Sequence, residues 1–176
     1  MKTVLTVAGS DPSGGAGIQA DIKTITAHGL YATSAITALT VQNTLGVSRV
    51  EPVPVDLVVQ QIDCVVGDIR PDAVKIGMLC NAEIVQAVAQ ALAHGQAECI
   101  VIDPVMISTS GHRLLDQEAV QWMKRKLFPM AQLITPNLPE AEALCGMRVR
   151  DEAEMERAAR LLSCLLYTSP SPRDRQ

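Results

Sequence analysis

The chain contains very few aromatic residues: Phe, Trp and Tyr together make up 2% of its 176 residues. Its core must therefore be built from Ala, Val, Ile and Leu, as is usual for parallel sheets that are covered by helices. Long apolar runs are also absent. No stretch approaches the roughly 20 residues of a membrane span, and the apolar part of MKTVLTVAGS is too short for a signal peptide. We therefore expect no membrane partner.

Positive charge and paired cysteines are scarce as well. Lys and Arg number 15 against 19 Asp and Glu, so the net charge of −4 argues against a nucleic-acid partner. The cysteines form no C-x-x-C pair and have no neighbouring histidine: Cys64, Cys80, Cys99, Cys145 and Cys164. This spacing argues against a zinc site and favours reduced thiols in a cytoplasmic protein. With 48% hydrophobic and 19% charged residues, the chain suits one globular domain.

Short apolar runs alternate with helical patterns along the sequence. This alternation predicts an α/β fold with a mainly parallel sheet between two layers of helices, a three-layer αβα arrangement. The candidate strands are Val4–Ala8, Ala35–Val41, Ala73–Ile76, Cys99–Ile102 and Gln132–Ile134. The candidate helices are Ser13–His28, Val55–Asp68, Ala82–His94, Asp116–Leu127, Leu138–Cys145 and Glu152–Leu162. In such sheets, ligands bind beyond the carboxyl ends of the strands.

A glycine-rich turn links the first strand to the first helix. Residues 3–23 read TVLTVAGSDPSGGAGIQADIK, and the missing Cβ atoms of four glycines leave the backbone open to a ligand: Gly9, Gly14, Gly15 and Gly17. Unpaired N–H groups at a helix start carry partial positive charge. We therefore expect this loop to seat a phosphate or another anionic or hydrogen-bonding group.

Two known glycine loops fit this turn poorly. Gly9 and Gly14 have the outer spacing of a Walker A loop, but Gly15 stands where that loop requires a lysine. Residues 15–20, GAGIQA, match the relaxed dinucleotide pattern G-x-G-x-x-A. The next strand, however, ends near Gln42 without the acidic residue that holds a ribose hydroxyl. The turn predicts a ligand site and leaves the ligand open.

Two carboxylates have both a structural and a functional interpretation. Asp21 lies at the edge of the apolar stripe of the first helix, where it is paired, meets a ligand or stays exposed near the helix start. Asp103 follows the apolar run of residues 100–102, at the carboxyl end of a strand. It either holds magnesium or orients a phosphate-bearing nucleotide, or it forms a turn before Pro104. The polar ends of four other strands favour the functional interpretation.

The other candidate residues also have both a structural and a functional interpretation. Asn137 and Glu140 have the spacing of a capping box, which explains both without a ligand; alternatively, they face a phosphate–magnesium cluster. The Gln42 amide either pairs with the ring nitrogen and amine of a heterocycle or satisfies a turn. Met78 and Val105 are candidates for the apolar walls around a flat ring, or for ordinary core packing.

Five segments taken together resemble the hydroxymethylpyrimidine/phosphomethylpyrimidine kinases, which belong to the ribokinase-like superfamily and act in thiamine biosynthesis. The segments are AGSDPSGGAGIQAD, TALTVQNTLGV, KIGML, DPVM and LITPNLPEAEAL, and the resemblance runs from Met1 to about Leu162. It implies ATP- and Mg2+-dependent phosphorylation of 4-amino-5-hydroxymethyl-2-methylpyrimidine and then of its monophosphate. A pyridoxine or pyridoxal kinase and a non-catalytic pyrimidine-binding module are the alternatives. Homo-oligomer formation stays open.

The resemblance also implies roles for individual residues. The pyrimidine pocket would be lined by Gly9, Asp21, Gln42, Met78 and Val105. Within it, Asp21 and Gln42 would bond to the ring nitrogen and amino edge. The ATP phosphates and magnesium would lie near Asp103, Asn137 and Glu140, with Asp103 and Glu140 as the candidate metal ligands. This arrangement agrees with phosphoryl transfer, which needs a hydroxyl placed in line with the γ-phosphate.

The C-terminal part departs from the family pattern. Family members continue further, and their last third carries a lysine near the phosphates and a Gly-Thr-Gly-Cys-like segment with the anion hole and the proposed base. The catalytic residues of this chain are therefore unassigned, and we expect the chain alone to be inactive. Residues 164–176, CLLYTSPSPRDRQ, resemble a translated sequencing adapter. We expect a partial ribokinase-like domain over residues 1–163 and a non-native, disordered tail over 164–176; a genuine disordered tail is the alternative.

Overall fold

The computed structural model describes residues 1–106 and 115–166. Its strands are β1 Thr3–Ser10, β2 Tyr31–Asn43, β3 Gly46–Pro52, β4 Ala73–Ile76, β5 Ile100–Ile102 and β6 Ala131–Ile134. Its helices are α1 Gly17–Ala27, α2 Val55–Asp68, α3 Ala82–His94, α4 Gln117–Trp122, α5 Leu138–Cys145 and α6 Glu152–Leu166. A π-helical turn over Met123–Leu127 and a 3-10 turn over Phe128–Met130 follow α4.

The strands form one sheet in the order β3-β2-β1-β4-β5-β6. All neighbouring strands are parallel except β2 and β3, which form an antiparallel hairpin. The predicted mainly parallel α/β sheet is thus confirmed. Within the described residues, β6 pairs with β5 alone, so one of its edges is open. None of the helices in this part of the chain combines the length and apolar character that a membrane span requires.

Helices cover both faces of the sheet. Leu5 and Val7 of β1 are fully buried in the main core cluster, which also contains Val58 and Ile62 of α2 and most of the buried residues of α3. Thr6, between them, points to the opposite face, where its hydroxyl reaches α1. Because side chains alternate along a strand, α1 and the α2–α3 pair lie on opposite faces. This is the expected three-layer arrangement.

Several predicted elements have different bounds in the structure. Helix α1 begins at Gly17 instead of Ser13, because residues 11–16 wrap around a buried carboxylate. The predicted helix 116–127 changes from α to π geometry at Met123. Helix α6 continues through Leu166, so three residues of the predicted tail are helical. The rest of that tail, residues 167–176, lies outside the described residues, and the boundary at residue 163 stays a prediction.

Strand β3 is absent from the sequence-based prediction. Only Val47 among its seven residues is buried, so the strand lacks the apolar run that identified the others. The sequence signal that could have predicted this strand lies in the turn between β2 and β3. The Asn43 side-chain carbonyl accepts hydrogen bonds from the N–H groups of Leu45 at 2.9 Å and Gly46 at 3.2 Å, as Asn does in tight turns.

Candidate active site

The turn between β1 and α1 is organised by a carboxylate of its own. The buried Asp11 side chain accepts hydrogen bonds from the backbone N–H groups of Ser13 at 2.8 Å, Gly15 at 3.0 Å and Ala16 at 2.8 Å. Burial alone raises the pKa of Asp11, but the bonds from Ser13, Ala16 and Gly15 outweigh it and hold that pKa below its ordinary value. The expected phosphate seat is therefore wrong for these three N–H groups, because they already bind an anion.

The start of α1 lies directly against the end of β1. Gly17 has a φ of 57°, and a Cβ atom there would stand 2.3 Å from the Gly9 carbonyl oxygen, so only glycine fits. Gln19 then holds α1 against this loop. Its side-chain N–H donates to the Ser10 hydroxyl at 2.7 Å, and its side-chain carbonyl accepts from the Asp11 N–H at 2.8 Å. These bonds fix where α1 presents Asp21.

A cavity of about 420 Å³ opens over the carboxyl ends of β1, β2, β4 and β5. It lies where ligands bind in open α/β sheets. All eight site residues named from the sequence line it: Gly9, Asp21, Gln42, Met78, Asp103, Val105, Asn137 and Glu140. The structure thus brings these residues together, while the role of each stays a prediction.

Asp21 is paired inside this cavity by two groups. Its Oδ2 atom accepts a hydrogen bond from the Thr6 hydroxyl at 2.6 Å and lies 3.0 Å from the Lys75 ammonium. The side chains of Asp21 and Lys75 are only 17% and 26% exposed, so this ion pair is largely shielded from water. The interpretation of Asp21 as a simple exposed helix-start residue is therefore wrong.

Lys75 is the site residue that the sequence analysis missed. It is the only Lys, Arg or His among the described residues that line the cavity. Its ammonium also lies 3.9 Å from Oδ2 of Asp103. The available signal was a lysine inside the otherwise apolar strand sequence AVKIG, since lysine is rarely buried without a partner.

Asp103 and Glu140 lie at the same mouth and carry raised pKa values. Burial raises the pKa of Asp103; the Lys75 charge lowers it and the Asp21 charge raises it further. Burial also raises the pKa of Glu140, against the lowering effect of N–H groups from Asn137 and Met106. The turn interpretation of Asp103 holds too, because its carbonyl accepts from the Val105 N–H at 2.8 Å. Asp103 can therefore form the turn and line the cavity at the same time.

The predicted capping box at the start of α5 is present. The Asn137 side chain accepts from the Glu140 N–H at 2.9 Å, and Glu140 Oε2 accepts from the Asn137 N–H at 2.9 Å. Glu140 is 3% exposed, and its other oxygen lies 3.4 Å from the Met106 N–H. The box therefore fixes both side chains at the cavity wall, so capping and a role at the site do not exclude each other.

The apolar and amide walls of the cavity are also fixed by hydrogen bonds. The buried Thr37 hydroxyl donates to the Met78 carbonyl at 2.6 Å and fixes the loop after β4. The Thr40 hydroxyl lies 2.8 Å from the Ser10 carbonyl and 3.3 Å from Gln42 Oε1. Met78 and Gln42 therefore line a preformed site, which lowers the entropy cost of ordering a flat ligand between them.

Within residues 1–106 and 115–166, no three Asp, Glu, His or Cys side chains come together as a ready-made metal site. Asp103 is the carboxylate best placed for a metal, because its side chain is 39% exposed and faces the cavity. Glu140 is committed to backbone N–H groups. This donor set fits magnesium, which in nucleotide sites is held by one or two carboxylates together with phosphates and water.

A mainly parallel sheet with a preformed cavity at its strand ends, lined by carboxylates and a lysine, is typical of α/β proteins that bind small polar ligands. The family model described as phosphomethylpyrimidine kinase matches residues 11–169. The chain belongs to this family, which confirms the resemblance found in the sequence.

Similar proteins agree with this assignment. The hydroxymethylpyrimidine/phosphomethylpyrimidine kinase of Haemophilus influenzae is 49% identical over 162 residues, covering 92% of this chain and 60% of that protein. The crystal structure of phosphomethylpyrimidine kinase from Clostridium difficile 630 matches with a TM-score of 0.87 and 45% identity, covering 94% of this chain and 71% of that one. An ADP complex of Bacillus subtilis pyridoxal kinase gives a TM-score of 0.83 at 36% identity, covering 94% and 62%. The chain spans about 60% of the length of the Haemophilus relative.

Proposed function

We propose that this chain is part of a kinase that transfers the γ-phosphoryl group of ATP to the hydroxymethyl group of 4-amino-5-hydroxymethyl-2-methylpyrimidine, and then to the resulting monophosphate, in thiamine biosynthesis. The observation that carries the proposal is the single cavity lined by all eight residues that the family resemblance assigns to the two substrates. Family membership and the Haemophilus relative support the same reaction.

The end of the cavity beside α1 suits the pyrimidine. Asp21 offers a carboxylate that accepts hydrogen bonds, as the exocyclic amine requires, and Gln42 offers an amide that both donates and accepts. Met78 and Val105 supply apolar surface for the two faces of a flat ring. Polar groups around the edge and apolar groups over the faces would fix the orientation of the hydroxymethyl arm.

The end near Asp103, Asn137 and Glu140 suits the nucleotide phosphates. Asp103 would bind Mg2+ directly, and Glu140 would act through a water molecule because its oxygens already accept backbone hydrogen bonds. The bound metal would neutralise charge on the transferred phosphoryl group. Since Asp103 and Asp21 line the same cavity, the phosphates and the ring would meet in it.

A pyridoxal kinase is the second candidate, favoured by the similarity to the Bacillus subtilis pyridoxal kinase at a TM-score of 0.83. Pyridoxal carries ring hydroxyl and aldehyde groups where the pyrimidine carries an amine. The shielded Asp21 carboxylate favours the amine over the aldehyde, because a carboxylate only accepts hydrogen bonds and an aldehyde has none to donate. A panel of both substrates, assayed with the intact protein, separates the two candidates.

Calorimetric titration of the chain with the pyrimidine tests the proposed site. We expect Asp21→Ala and Gln42→Ala each to weaken binding by about tenfold or more, since each removes a shielded hydrogen bond. Asp63→Ala is the matched control, because Asp63 is exposed on α2 and distant in sequence from every cavity residue. Absence of pyrimidine binding to the folded wild-type chain would contradict the site.

Turnover distinguishes a kinase from a module that only binds. The family resemblance assigns the anion hole and the catalytic base to residues that lie outside the matched region. We therefore expect ATP turnover by the 176-residue chain to be several orders of magnitude below that of the intact Haemophilus relative. Turnover within tenfold of the relative would refute this expectation. Pyrimidine binding by an intact homologue without any phosphorylation would favour the non-catalytic module.

A further inference from the structure

The Lys75–Asp21 ion pair has a geometry that the proposed function leaves unused. Lys75 Nζ lies 3.0 Å from Asp21 Oδ2, and both side chains line the cavity. An ammonium group has three N–H donors and a carboxylate has several acceptor positions, so neither group is saturated by the other. The pair therefore presents one donor and one acceptor side by side to a ligand.

The surroundings keep this donor in place. Lys75 and Thr6 are register partners in β4 and β1, and Asp21 spans them from α1. Gly77 lies two residues after Lys75, directly beyond the end of β4, and a Cβ atom there would stand 3.0 Å from Lys75 Nζ. The missing side chain of Gly77 thus leaves the space that the ammonium occupies.

Lys75 faces several negative groups, and among the described residues that line the cavity it is the only Lys, Arg or His. The carboxylates that line the cavity with it are Asp11 from the loop after β1, Asp21 from α1, Asp103 from the end of β5 and Glu140 from α5. Asp11 and Glu140 are bonded to backbone N–H groups, while Asp103 lies 3.9 Å from the ammonium. Without Lys75, the pyrimidine end of the cavity would be a seat for cations.

The edge of a 4-aminopyrimidine changes its hydrogen-bonding pattern with protonation. In the neutral ring, the amine donates and the adjacent ring nitrogen accepts. In a ring that carries a proton on this nitrogen, both positions donate. A carboxylate can only accept, so Asp21 alone matches a ring protonated at this nitrogen, whereas a donor beside an acceptor matches a ring in which this nitrogen carries no proton.

We propose that Lys75 is a specificity-determining residue that donates a hydrogen bond to the ring nitrogen beside the amine, while Asp21 accepts from the amine, so that the site excludes a ring protonated at that nitrogen. The proposal rests on the proposed function and deepens it, because it specifies the protonation state of the bound ring. It also gives this ring nitrogen a direct contact with the Lys75 ammonium, and Lys75 was not among the site residues predicted from the sequence.

Calorimetry in two buffers of different ionisation enthalpy counts the protons taken up on binding. At pH 8, we expect the wild-type chain to bind the pyrimidine with no proton uptake. Lys75→Met keeps much of the lysine volume but removes the donor. We expect it to bind about 10- to 100-fold more weakly and to take up about one proton per ligand. Lys2→Met is the control, because it removes another Lys–Asp pair, which joins the residues just before β1 and β4, at the opposite end of both strands from the cavity.

The outcomes separate this inference from the proposed function. No pyrimidine binding by the folded wild-type chain would overturn the function and the inference together. Binding with proton uptake by the wild type, or unchanged affinity and proton count in Lys75→Met, would overturn the inference and leave the function standing. Control values for Lys2→Met that match Lys75→Met would also overturn it, because the effect would then be a general loss of an ion pair.

A second measurement needs no variant and stands if Lys75→Met fails to fold. An analogue in which the ring nitrogen beside the amine is replaced by C–H keeps the amine but loses the acceptor. We expect the wild-type chain to bind this analogue about 10- to 100-fold more weakly than the pyrimidine. Equal affinity would contradict the proposed bond. In folded Lys75→Met, the analogue and the pyrimidine should differ by less than this factor when compared at the same pH.

Discussion

Asp11 and Asp21 are two carboxylates in the same strand–loop–helix segment, and their surroundings give them different uses. Asp11 is 2% exposed, and its carboxylate bonds to its own loop, including the N–H groups of Gly15 and Ala16. Asp21 bonds to side chains from two strands and lines the cavity. The first therefore builds the loop, and the second is available to a ligand.

Gly17 gives a prediction at the same scale. We expect Gly17→Ala to lower the free energy of unfolding by about 2–4 kcal/mol, because its φ of 57° is costly for alanine and its Cβ atom would stand 2.3 Å from the Gly9 carbonyl oxygen. Gly29→Ala is the control. Its φ is 72°, but nothing lies within 4 Å of its Cβ position, so only the backbone cost of about 1 kcal/mol applies. Urea unfolding of both variants checks the difference, and equal losses would contradict the steric argument.

At the scale of elements, hydrophobic periodicity did not reveal where α1 begins after the β1–α1 loop or that β3 forms a hairpin with β2. The sequence-based prediction began α1 near Ser13. The Asp11 carboxylate takes the N–H groups of Ser13 and Gly15 and delays the helix to Gly17. The hairpin was missed because β3 buries one residue and pairs only with β2. Local polar bonds thus decided where both elements begin.

The Asp11 loop predicts a specific pH dependence of stability. The pKa of Asp11 in the folded chain lies below its ordinary value of 3.8. The charged form therefore stabilises the folded state fully above pH 3.8, and this contribution disappears as the pH falls through the lower folded-state pKa. We expect Asp11→Asn to cost about 2 kcal/mol of unfolding free energy at pH 7, and the difference from the wild type to shrink below pH 3.8.

Denaturant unfolding at pH 7 and at a pH below 3.8 checks this expectation. Asp68→Asn serves as the comparison, because Asp68 is exposed at the end of α2, and we expect it to change stability by less than about 0.5 kcal/mol. A loss in Asp11→Asn that is constant across this pH range would show that the charge of Asp11 does not stabilise the loop.

At the scale of the whole molecule, the sheet has an edge strand, β6, that can pair with another chain. Its centre, β1 and β4, has neighbours on both sides, whereas β6 pairs with β5 alone in the described part of the chain. Leu133 in β6 is 50% exposed. An open strand edge beside an exposed apolar side chain favours pairing with another chain. We therefore expect the protein to associate through this edge as its concentration rises.

Leu133→Lys tests this association. A charged side chain on an edge strand opposes edge-to-edge pairing, so we expect sedimentation velocity to show association only at about tenfold higher protein concentration than in the wild type. Leu57→Lys is the matched control, because Leu57 is 47% exposed on the helix α2 and lies on no strand edge. An equal shift for both variants would mean that general surface charge, and not the β6 edge, governs association.

The sequence alone determined the alternation of strands and helices and the set of polar residues that follow the strands. Because the carboxyl ends of parallel strands meet at one edge, it also predicted that polar residues such as Gln42 and Asp103 would lie close together. The family resemblance added Asp21 and Glu140 to this site. Only the tertiary structure decided the partner of Asp21. Lys75 is 54 residues away in sequence, and its place beside Asp21 depends on the register of β1 against β4. Such a register follows from the packing of the whole sheet, which local patterns do not specify.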